Sequence, residues 1–127
     1  MTREEARESL SFHSGGHPDV DNPRWSNGFL AKVHSFQYPD RHDFDEVMEC
    51  IFVLSDEFAK ESLDNELILD VLSIINLTRQ WSSPDHRPQE KYATLIEWVD
   101  TMEHCLWWLL QDDHGEAINW YENCLAE

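Results

Sequence analysis

The stretch that most limits what this chain can fold into is Leu67 to Leu77, which reads Leu-Ile-Leu-Asp-Val-Leu-Ser-Ile-Ile-Asn-Leu. Apolar residues recur there at helical spacing on every side, so a helix carrying them has little face left for water and is expected to run through the middle of a bundle. It is shorter than the roughly 18 apolar residues that a bilayer crossing needs. The expected fold is therefore an all-α, single-domain bundle of five to six helices around a buried central helix at about 66–81.

The flanking elements are read from start and stop signals. Thr2 with Glu5 has the form of a capping box, which predicts a short helix from Arg3 to about Leu10. His13 to Asp21 is a glycine- and proline-bearing loop, so residues 1–21 are expected to be an N-terminal segment with a mobile loop, and 22–127 the bundle itself. Asn22-Pro23 predicts a second helix running to about Phe36, with Trp25, Phe29, Val33 and Phe36 on one stripe. Asp43 with Glu46 repeats the capping-box form ahead of Phe44, Val47, Met48, Ile51, Leu54 and Phe58, a helix to about Glu61. A loop follows the central helix from Ser82. Gln89 to Asp113 then reads as the longest helix, ended by His114-Gly115, and a last helix from about Glu116 offers Ile118, Tyr121 and Leu125 to the core.

Charge narrows the function. The chain carries 26 acidic residues against 9 basic, a formal net of −17. Such a balance opposes binding to nucleic acid or an anionic membrane, because phosphate contacts need lysine and arginine. It favours encounter with a basic protein. The charge is also unevenly placed: eleven acids lie between Asp40 and Asp70 against only Arg41 and Lys60, and after Lys91 eight acids follow with no base. Three cysteines, Cys50, Cys105 and Cys124, fall inside predicted helices, and no apolar leader follows Met1, so the expected setting is a reducing cytoplasm with the thiols as packing groups.

Motifs for chemistry are scarce. A di-iron bundle needs Glu-x-x-His on two helices, and the sequence has none. Gly-x-Ser-x-Gly and the phosphate-binding loop are also missing. Metal candidates reduce to His13 and His17 with Asp19 and Asp21, and to Asp100 with His104 one helical turn apart, the latter read first as a surface pair. No cofactor is expected.

The long helix carries the strongest local feature. At about 100° per residue, a stripe centred on Val99 puts Trp107 on its shoulder and Trp108 directly opposite, among Glu97, Thr101, His104 and Asp112. An outward indole flanked by acids suits a basic partner, since tryptophan is enriched at binding hot spots. The expected partner-binding set is Asp45, Glu49 and Asp56 on the helix from Asp43, with Glu97, His104, Trp108 and Asp112 on the long helix. The function that fits this pattern is an acidic inhibitor of the immunity-protein type, neutralising a basic, nuclease-like toxin by protein contact. A small metal-dependent helical enzyme and a homodimeric regulatory subunit joined through Trp98, Trp107 and Trp108 are the alternatives.

Overall fold

The computed structural model describes residues 1–82, 85 and 87–125. Among them the chain is all helical. Seven α-helices follow in order: α1 Arg3–His13, α2 Pro23–Ser26, α3 Phe29–His34, α4 Arg41–Val53, α5 Asn65–Trp81, α6 Gln89–Leu110 and α7 His114–Glu122, with a 3-10 turn Ser55–Ala59 after α4. Residues 83, 84 and 86 of the expected loop, and 126 and 127, lie outside the described residues. No described helix is long and apolar enough to cross a membrane.

α1 starts as expected. Thr2 accepts from the Glu5 amide while the Glu5 carboxylate accepts from the Thr2 amide, which satisfies two of the orphan donors of a helix start. The helix is longer than expected and fully built into the fold. Ala6 and Leu10 are buried in the same cluster as Phe44, Met48, Ile74 and Trp98, so residues 1–21 contribute to one core shared with the rest of the bundle.

α2 and α3 replace the single helix expected from Pro23 to Phe36. Asn22 caps α2 through the Arg24 amide, with Pro23 at the first position. The helix ends before Gly28, where a Cβ would stand 2.5 Å from the Phe12 carbonyl oxygen. Only glycine lets the end of α1 pass this close. α3 restarts with its first amide, Phe29, donating to His13 Nδ1 at 2.9 Å.

The start of α4 is displaced by three residues from the sequence reading. Asp40, not Asp43, is the N-cap, and Asp40 with Asp43 forms the reciprocal box. Glu46 is thereby freed for a long-range role. The helix ends at Val53 and continues as a 3-10 turn that buries Phe58, rather than reaching Glu61 as α-helix.

α5 has nearly the expected bounds, with Asp64 capping Leu67. It packs against α1, α3 and α6. Its buried residues are Leu67, Val71, Ile74, Ile75 and Thr78, a single face. Leu69 and Leu72 point out of the bundle, Leu69 being 63% exposed, so the helix is amphipathic in place and not enclosed on every side. The remaining faces of the bundle are too few to surround it.

α6 is the element with the largest buried set: Leu95, Trp98, Val99, Thr101, Met102, Cys105, Leu106 and Leu109. Trp98 sits at the centre, its ring stacked on Phe44 at 5.3 Å and edge-on to Phe29 at 6.3 Å. That burial removes it from the expected outer shoulder. Leu110 is largely outside. α6 stops at Leu110 through a left-handed Asp112, φ 58°, and the Asp113 amide returns to the Trp108 carbonyl. His114-Gly115 therefore opens α7 instead of closing α6, with Asp113 as its cap. α7 folds back along α6, burying Ala117, while Leu125 stays 85% exposed and outside the core.

Candidate functional site

Among the described residues, ion pairs hold seven of the nine bases: Arg3 with Asp56 and Glu57, Arg7 with Asp64, Glu66 and Asp70, Arg24 with Glu8, Lys32 with Asp43, Arg41 with Asp45, Lys60 with Glu57, and Arg79 with Asp100 and Glu103. Arg87 and Lys91 instead lie over the Tyr38 ring, and Arg87 also donates to the Val33 carbonyl at the end of α3. Six of these seven pair with acids of α1, α4, α5 and the turn between α4 and α5. Arg79 pairs with acids of α6, and Arg41 also donates to the Cys124 carbonyl just past α7.

This distribution separates the expected binding residues into two groups. On α4, Asp45 is held by Arg41 Nε at 2.9 Å and by the Tyr121 hydroxyl at 2.6 Å. Glu49 faces the amino terminus at 4.0 Å, and Asp56 accepts from Arg3 at 2.6 Å. These acids are spent on local pairs. Arg3 in turn holds the Asp56 carboxyl below its ordinary range. The acidic row of α4 therefore presents much less free charge than its sequence suggests.

The second group lies on α6 and α7 and keeps its charge. Glu97 is exposed, its nearest partner being the weak Cys124 thiol donor at 3.9 Å, and Asp112 is exposed in the turn. Asp100 and Glu103 share Arg79, which holds Glu103 low. Glu116 and Glu122 are exposed on α7.

The exposed tryptophan of this pair is Trp107 rather than Trp108. Trp107 is 63% exposed, whereas Trp108 is half-buried and packed against the core. Burial of Trp98, Thr101 and Cys105 by the neighbouring elements centres the inward face near Met102, about 60° round from Val99 at 100° per residue. Trp108 then stands about 120° from the centre and Trp107 about 140°, which is the order of their exposure. Beside Trp107, one turn back, His104 stacks on Trp120 of α7 at 3.9 Å, and Trp120 is 40% exposed. The hairpin geometry is fixed from inside: the Cys105 thiol donates to the Ala117 carbonyl at 3.2 Å, and burial pushes that thiol up to about 12. Trp107, Trp120 and Leu110 thus form a partly apolar surface among acids of one sign. Trp120, absent from the expected set, lies in the segment from Glu116 whose packing face periodicity does not settle.

The metal candidates are not brought together. His13 accepts the Phe29 amide at Nδ1, which leaves its proton on Nε2, 3.3 Å from Glu46. Both ring nitrogens are occupied inside the fold. His17 Nδ1 accepts from the Asp19 amide, and its ring stacks on Phe12 at 3.9 Å. His104 Nδ1 donates to the Asp100 backbone carbonyl at 2.7 Å, not to the Asp100 side chain, which Arg79 takes. Asp40, His42 and Asp43 have ligand atoms within 4.8 Å of one another, but both carboxylates are committed to the α4 cap and Lys32 holds Asp43 at 2.8 Å.

Sequence reading also missed a polar cluster behind α1. Glu46 Oε1 accepts from Ser9 at 2.6 Å and faces His13, while Lys32, His42 and Asp43 line the same cavity of about 250 Å3. The His13 and Ser9 hydrogen bonds hold the Glu46 carboxyl down at about 2. Ser9, His13, Lys32, Asp43 and Glu46 each have a structural partner, so the cluster ties α1, α3 and α4 together. Its partners lie 33 and 37 residues apart in the chain, beyond any local pattern. Comparisons with protein families, with curated proteins and with solved structures give no match for this chain.

Proposed function

We propose that this chain is an acidic binding protein whose α6–α7 face grips a basic protein surface, with Trp107 and Trp120 as anchors and Glu97, Asp112, Glu116 and Glu122 around them. The observation that carries this reading is the 63% exposure of Trp107 on a hairpin that has seven acids after Lys91 and no base. An indole has roughly 150–250 Å2 to bury, so its exposure leaves on the order of 2–4 kcal/mol for a partner to recover. One-sign charge around it steers a basic partner toward it.

The narrowest form of the reading is inhibition of a basic nuclease domain, whose nucleic-acid site is itself a positive surface that an acidic protein can occupy. The experiment is to mix the protein with basic nuclease domains, measuring association and nuclease activity at low and at physiological salt. Saturable binding with loss of nuclease activity, weakened by salt and by Trp107→Ala, is expected. Binding that occurs without loss of nuclease activity retains the acidic binding protein and removes the inhibitor. No saturable binding to any of them removes both.

A further inference from the structure

The bundle carries a second concave surface, remote in character from the acidic face. Between the end of α1, α2, α3 and the end of α5 lies a cavity of about 480 Å3, lined in part by Trp25, Leu30, Ala31, His34, Leu77 and Trp81. The volume lies within the range of small-molecule sites, about 300–1,000 Å3. None of the eleven lining residues is Asp, Glu, Lys or Arg, in a chain where 28% of residues are charged. The His34 ring meets Trp81 edge-on at 4.7 Å, so two indoles and an imidazole contribute flat walls.

We infer that this cavity is a binding site for a small, neutral, aromatic molecule. The walls select for a planar apolar body, since aromatic surfaces pair by offset or edge contacts. The lack of charged lining selects against ionic ligands, whose lost hydration nothing in the wall replaces. The site is independent of the α6–α7 face, and neither depends on the other.

The test uses the full chain and three ligands of one shape: 2-naphthamide, 2-naphthoate and 2-naphthylmethylammonium. Binding is followed by the indole N–H resonance of Trp25, identified by its loss in Trp25→Phe. Saturable displacement of that resonance by naphthamide is expected, with weaker binding of both ionic analogues. Binding should vanish in Ala31→Phe, which fills the cavity, and in Ser26→Phe, which blocks its exposed rim and places no new bulk in the core. Failure of naphthamide to saturate the Trp25 signal overturns the site. So does equal or tighter binding of the ammonium analogue, which would mark attraction to the net negative charge, or binding that survives Ser26→Phe.

Discussion

Glu46 offers a prediction whose size and sign both follow from the fold. Its carboxyl sits at about 2 in the folded protein against an ordinary 4.5, held there first by His13 and then by Ser9. A group whose folded value is depressed adds stability that is fully present above its unfolded value and is lost as the pH falls through the folded one. The window is therefore from about 4.5 down to about 2. The shift of some 2.5 units corresponds to at most about 3.4 kcal/mol at about 1.36 kcal/mol per unit. Because the Glu46 side chain keeps 31% of its exposure, solvent screening reduces this to about 1–2 kcal/mol. The assay is urea unfolding of the wild type and Glu46→Gln at a series of pH values. Taking the difference between them cancels the general relief of repulsion that any chain of net charge −17 gains on acidification. The difference should be about 1–2 kcal/mol at neutral pH and shrink toward zero near pH 2. A difference that stays constant through that window refutes the link between Glu46 and the folded state.

Other outcomes follow from the same geometry. Gly28→Ala forces a Cβ to 2.5 Å from the Phe12 carbonyl, and should lower stability by about 1–3 kcal/mol in chemical unfolding. Trp98→Ala, by emptying the stack on Phe44, should cost about 3–5 kcal/mol by the same measure. Trp107→Ala, by contrast, should leave the unfolding free energy within about 0.5 kcal/mol of the wild type while weakening partner binding. Burial pushes the Cys50 and Cys105 thiols up to about 11 and about 12, so neither should be alkylated at neutral pH in the native protein, and both should react on unfolding, as mass spectrometry will count.

Local chemistry was the legible part of the fold. The Thr2–Glu5 box and the Asn22-Pro23 start can be read from adjacent residues because the bonds they encode are themselves local. The break at Gly28 is of another kind. It lies against the Phe12 carbonyl, sixteen residues away in sequence, and periodicity through Trp25, Phe29 and Val33 runs across it unmarked. The shift of the α4 cap from Asp43 to Asp40 has a similar origin, since either acid suits the role and Glu46 is drawn instead to Ser9 and His13.

The candidate face was legible in its charge and misplaced in its anchor. The acid excess after Lys91 stands in the sequence. The orientation of α6 does not, because Phe44 of α4 and Phe29 of α3 enclose Trp98, α7 covers Cys105, and the inward side turns by most of one residue step. That rotation half-buries Trp108 and leaves Trp107 in solvent. The acids of α4 and the turn after it are paired by groups that sequence places far away: the amino terminus comes to rest beside Glu49 and Arg3 beside Asp56.

The most direct test of the binding face is a hydrogen-exchange footprint of the protein with a basic nuclease domain that it binds. Slowed exchange confined to the hairpin, centred on the turns of α6 and α7 that bear Trp107 and Trp120, is the predicted result. Protection along α4 or across the groove between α1 and α5, with the hairpin unchanged, would contradict it.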